Sequence, residues 1–176
     1  MGSSFIDIQD KGFWARDGFV EAMQLCLINE IERQNLDSII WIHEFKHELA
    51  LQSLPLIYGG MSMELEAFIT TDERKDQLIQ LIDLIIEKIG TTDDYITGAN
   101  LHEMRKRAVT ILSESGKIEF NNPKEFNKAV NDSRWKESDG ISEVKSRYQH
   151  SFKLLRQLVK GEMLSTTASP QDYWNY

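Results

Sequence analysis

Thr70–Gly90, TTDERKDQLIQLIDLIIEKIG, is the stretch that decides the fold. Leu78, Leu81, Ile82, Ile85, Ile86 and Ile89 recur at three- and four-residue intervals, the period of one helix face. Thr70-Thr71-Asp72-Glu73 supplies a capping box ahead of that stripe, and Gly90 stops it. A stripe this regular is buried against other helices, or serves a helical partner.

The same signals recur on both sides. Upstream, Asp17 reads as the N-cap of a helix to about Gln34, with Phe19, Val20, Met23, Leu27 and Ile31 at helical spacing. Phe13-Trp14 precedes it as an aromatic anchor. A second helix begins near Asp37-Ser38; Ile39, Ile42, Phe45 and Leu49 form its stripe, Ile40, Leu51 and Leu54 broaden it, and Pro55 and Gly59-Gly60 end it. Ser62 caps a short helix through Phe68. Downstream, Asn100-Leu101-His102-Glu103 opens a helix to about Ser115, and Asn122-Pro123-Lys124-Glu125 opens another to about Asn131. The last helix runs from Ile141 to Lys160, with Ile141, Val144, Tyr148, Leu155 and Leu158 inward and Gly161 as its C-cap. Lys117–Phe120 alternates and suggests a short strand. Residues 132–140 read as a polar loop around Trp135. The expectation is a mainly all-α bundle of five to seven helices, one domain over residues 1–164, followed by a polar aromatic tail, 165–176, whose Tyr173, Trp174 and Tyr176 dock on the body.

Composition bounds the function. The chain has 176 residues and a formal net charge of -8. Residues 1–100 hold 18 acidic and 7 basic side chains, a net of -11, whereas residues 101–176 hold 10 and 13, a net of +3. An acidic body repels phosphate, which argues against DNA or RNA, and attracts a basic protein. Residues 1–12 lack the basic and apolar regions of a signal peptide, and the longest apolar runs are too short to cross a membrane. The single cysteine, Cys26, reads as a small buried hydrophobe and suits a reducing, cytoplasmic setting. Arg105-Lys106-Arg107 reads as a solvated basic face, and His102 and His150 as structural or exposed.

One motif has the form of chemistry. Residues 43–47, His-Glu-Phe-Lys-His, match H-E-x-x-H within the second helix. That spacing brings two imidazoles to one Zn²⁺ with Glu44 as general base, and the segment resembles the zinc peptidases called zincins. The resemblance implies a zinc hydrolase with His43 and His47 as ligands, Glu64 or Glu66 as the third, and zinc as cofactor. The flanks depart from the pattern: Lys46 lies between the histidines, Glu48 follows, and no third histidine stands at the extended spacing. The preferred reading places His43 and His47 at the border of a buried helix face and calls for no cofactor.

Gly12–Phe19 (GFWARDGF), Asn29-Glu30-Ile31-Glu32 and Phe68–Arg74 (FITTDER) resemble a group of small helical bacterial proteins without assigned activity. These are similar in character to immunity proteins, compact acidic cytosolic proteins that neutralise a toxin by binding it. The resemblance spans the first half of the chain and transfers no functional residues. It implies a non-enzymatic domain that binds a protein, a basic toxin domain in the most concrete form. Contact would come from Glu64, Glu66, Asp72, Asp93 and Asp94, with Tyr95 as an aromatic anchor.

Overall fold

The computed structural model describes residues 3–54, 61–133 and 141–163, and of residues 141–144 only the helical backbone. Pro55, Gly59-Gly60, Trp135 and the tail with Tyr173, Trp174 and Tyr176 lie outside the described residues, as do the side chains of Ile141 and Val144. In chain order the elements are β1 (Ser3–Ile8), β2 (Lys11–Arg16), α1 (Asp17–Arg33), a 3-10 turn (Leu36–Ser38), α2 (Ile40–Gln52), α3 (Leu65–Phe68), α4 (Asp72–Thr91), α5 (Gly98–Glu114), α6 (Pro123–Asn131) and α7 (Ile141–Lys160). The fold is mainly all-α, with one antiparallel hairpin at its start.

Local sequence chemistry accounts for most boundaries. Thr71 Oγ1 accepts from Arg74 N at 3.3 Å and starts α4. Asn122 Oδ1 accepts from Lys124 N and Glu125 N ahead of Pro123, and Glu125 reaches back to Asn121 N at 3.0 Å. Gly161, at φ 75°, ends α7 in the left-handed region that an L-residue enters at a cost. The cap of α5 is Thr97, whose hydroxyl accepts from Asn100 N at 3.1 Å, so this helix starts two residues before the expected Asn100.

Two expectations about the elements are corrected. The strand is not at Lys117–Phe120: Ile118 N donates to Leu112 O at 3.2 Å, which spends on the end of α5 a donor that a ladder would need. The strands are instead β1 and β2, paired from Ser3↔Arg16 to Ile8↔Lys11 around a Gln9-Asp10 turn. Ile6 and Phe13 face each other on the buried side, while Phe5 and Trp14 pack on the other at 5.3 Å between ring centroids. Ile40 does not broaden the α2 stripe; it is 76% exposed beside the 3-10 turn.

α1 is the axis of the molecule. It packs on α2, α4, α5, α7 and both strands, and eleven of its residues, Val20 to Ile28 with Glu30 and Ile31, are buried. A helix buried all round would ordinarily be apolar all round. This one carries Glu21, Gln24 and Glu30 inside; the two carboxylates are met, whereas Gln24 is met at its nitrogen alone, its Oε1 being buried without a hydrogen-bond partner among the described residues. Arg105 of α5, itself fully buried, donates to the Glu21 carboxylate and to the carbonyls of Ser53, Ala129 and Asp132, each at 3.0 Å. Glu30 accepts from Lys88 Nζ at 2.6 Å and Tyr95 Oη at 3.0 Å. Gln24 Nε2 donates to Ser62 O at 2.7 Å. Arg105 therefore leaves the expected solvated run and becomes the bolt between α1, α5 and the ends of α2 and α6.

Candidate functional site

α2 places His43, Glu44, His47 and Glu48 along an open groove of about 350 Å³ whose other side is formed by Phe68 and Lys117. The two imidazole centroids are 4.3 Å apart. His47 is buried, and its Nδ1–H donates to the carbonyl of His43 at 2.8 Å, which leaves Nε2 as the free lone pair. Burial, with the charges of His43, Lys46 and Lys117, holds the His47 imidazolium below its ordinary range despite that carbonyl. His43 and Glu44 are exposed, and His43 Nδ1 lies 3.5 Å from Asp37.

Lys46, itself buried, enters a partly exposed charge network and shares Asp37 with His43. Its ammonium lies 2.6 Å from Asp37 and 3.3 Å from Glu32, and Arg107 of α5 grips Glu32 with two 2.8 Å hydrogen bonds. Partial burial would raise both carboxyls, but Arg107 and Lys46 hold Glu32, and Lys46 and His43 hold Asp37, below the usual carboxylate range. Half of the motif is thus tied into joining α2 to α1 and α5.

The residues do not fit the zincin pattern. Among the described residues no three His, Cys, Asp or Glu side chains gather as a metal ion requires. Neither Glu64 nor Glu66 completes a set with His43 and His47; Glu66 Oε1 instead accepts the backbone N–H of Gln9 at the hairpin turn. A zinc hydrolase needs three protein ligands around an open position, so no reaction step is built on Glu44.

The proposed contact residues divide. Glu64, Glu66, Asp72, Asp93 and Asp94 are all exposed. Tyr95 is not: it is buried, its hydroxyl is held by Glu30, and burial drives its ionisation far up. It is a core residue and is withdrawn as an anchor. Asp72 opens α4 and Asp93 follows its end, so the two lie roughly 30 Å apart along a twenty-residue helix. Asp93 pairs with Lys145 at 3.1 Å.

Glu64 and Glu66 lie at the Asp72 end, where the structure adds a residue that periodicity did not mark. Asp7 of β1 is exposed there, and its carboxyl is held above the ordinary range by partial desolvation, then by Glu66 and Glu64. Beside this trio a groove of about 390 Å³ opens between Ile8 and Gln9, Ile69 to Asp72, and Leu158 and Val159. Two backbones in the trio's neighbourhood are left-handed without glycine, Gln9 at φ 59° and Glu64 at φ 49°. No described helix is long and apolar enough to cross a membrane. Comparison of the chain with protein-family models, with curated proteins and with solved structures yields no match in any of the three.

Proposed function

We propose that this chain is a non-enzymatic protein-binding domain of the immunity type, which neutralises a bacterial toxin by binding a basic face of it directly. The observation that carries the reading is the crowding of Asp7, Glu64 and Glu66 at one exposed end, across from Asp72. Like charges held together raise the energy of the free protein, and a cationic partner relieves that repulsion when it docks. The acidic first hundred residues extend the same field and speed encounter with a basic protein. The reading needs no cofactor, and the single buried thiol of Cys26 accords with a cytoplasmic setting.

The test is co-expression with the product of the adjacent gene, where that product alone arrests growth of the expression host. The chain is expected to restore growth and to elute with the toxin domain as one complex in gel filtration. Glu64→Lys with Glu66→Lys is expected to abolish both while leaving the circular dichroism unchanged. Growth arrest that persists with folded wild-type chain present, together with separate elution of the two proteins, rejects the reading.

A further inference from the structure

The 390 Å³ groove at the hairpin end has the build of a socket for one large side chain. Ile8 and Ile69, with the nearly buried Leu158 and Val159 beneath them, give it an aliphatic floor, and Gln9, Thr70, Thr71, Asp72 and Lys75 give it polar sides. A cleft of that size matches the small end of ligand-sized sites. Its parts are held before any partner arrives. The Gln9 N–H donates to Glu66 and fixes the hairpin turn to α3, and Thr71 caps α4 on the opposite wall. The charges around it are uneven. On the α4 wall Asp72 is offset by Lys75, and at the α7 end Lys160 lies 3.7 Å from Glu162. The hairpin side carries Asp7, Glu64 and Glu66 together.

We infer that this groove is the docking point for the partner, and that its occupant is a segment of the partner protein bearing one aliphatic or aromatic side chain flanked by lysine or arginine. The apolar side chain enters between Ile69 and Val159, and the flanking cations lie over Asp7, Glu64 and Glu66. An apolar anchor with a charged rim is the arrangement that concentrates binding energy in protein interfaces. The inference rests on the protein-binding reading above and names the surface that reading leaves open.

Two synthetic peptides test it on the full chain: one with a central tryptophan flanked by lysines, the other with the same tryptophan flanked by glutamates. Amide shifts of the ¹⁵N-labelled protein are expected to move with the lysine peptide at Ile8, Gln9, Ile69, Thr70, Val159 and Gly161, and not with the glutamate peptide. Asp7→Asn with Glu64→Gln and Glu66→Gln is expected to weaken binding about tenfold, the sum of three exposed charge pairs. Thr70→Trp fills the groove from an exposed position and is expected to remove the shifts, its own amide dispersion reporting that it folds. Shifts centred on Asp93 and Asp94, equal response to both peptides, or indifference to Thr70→Trp each overturn the inference. The two proposals fail separately. Toxin neutralisation that survives Thr70→Trp and the charge variant leaves the function and removes the groove; a lysine peptide seated in the groove without neutralisation leaves the groove and removes the function.

Discussion

Replacing Arg105 by alanine takes the guanidinium from the buried Glu21 carboxylate and leaves the carbonyls of Ser53, Ala129 and Asp132 without this donor. Breaking one side of a buried pair costs about 3–5 kcal/mol, so urea denaturation is expected to show a loss of that size for Arg105→Ala. Glu21→Leu with Arg105→Met removes both charges and is expected to recover part of the loss, because the three carbonyls stay unmet. A second residue-scale effect belongs to His47. Its folded form resists protonation, so the unfolded chain binds more protons as pH falls below the ordinary value of 6.5. Stability contributed by neutral His47 is present above that pH and is lost as pH falls through its depressed folded value. Unfolding measured at about pH 8 and about pH 5 is expected to show a steeper acid loss for the wild type than for His47→Gln. Little of this was legible beforehand. Arg105-Lys106-Arg107 looks like one basic run, yet Arg105 is buried against Glu21 of α1 while Arg107 meets Glu32 of the same helix at the surface, and helical phase alone does not reveal that the opposing helix offers those carboxylates. The fate of Tyr95 was hidden likewise, since its partner Glu30 lies 65 positions away.

At the scale of elements, periodicity and caps identified the helices because each signal is local. The α4 stripe, the Asn122-Pro123 start and the Gly161 stop can all be read within a few residues. The hairpin was missed for an equally local reason. A two-residue turn between strands asks for positive φ, and Asn-Gly or Asp-Gly ordinarily announces it. Here Gln9 takes φ 59° in a Gln-Asp turn, with its N–H anchored to Glu66, so the distinguishing contact comes from α3 rather than from the turn. Gly12 has a different duty: an added Cβ would press into the Ile6 carbonyl oxygen and come within 2.8 Å of the Phe5 ring. Gly12→Ala is therefore expected to cost about 1–3 kcal/mol through a shifted β2, measurable as a lowered midpoint in thermal unfolding. Gly116→Ala meets open space but a φ of 69°, and tests left-handed strain without crowding.

For the whole molecule, the charge asymmetry of the sequence survives, but its distribution matters more than its sum. The acidic residues proposed for contact stand at both ends of α4, and at the hairpin end they lie beside a groove with an aliphatic floor. If a basic partner docks there, its association rate is expected to fall steeply as salt rises from about 0.01 to about 0.15 M, with a far smaller change in dissociation. Stopped-flow mixing checks this, and Asp93→Asn with Asp94→Asn is expected to leave the slope nearly unchanged. The proposed binding surface was half visible in the sequence. Glu64, Glu66 and Asp72 are marked by charge and position, whereas Asp7, Ile8 and Val159 reach the same place only through tertiary packing. The H-E-x-x-H match is the converse case: two imidazoles at helical spacing are a local property and a third ligand is not, and among the described residues none joins them.

The carboxylates on α1 also bear on the order of events during synthesis. Glu21 meets its counter-charge 84 positions later, and Glu30 meets Lys88 58 positions later. Burying α1 before α4 has emerged would take both carboxylates out of water without these cations, and before α5 has emerged it would still do so to Glu21, a state costlier than leaving the helix wet. The growing chain is thereby discouraged from closing around α1 with α2 alone. Collapse waits for the segment that carries Arg105, and a register slip of α5 along α1 finds no compensating charge, so the late-arriving arginine acts as a checkpoint on how the nascent chain assembles.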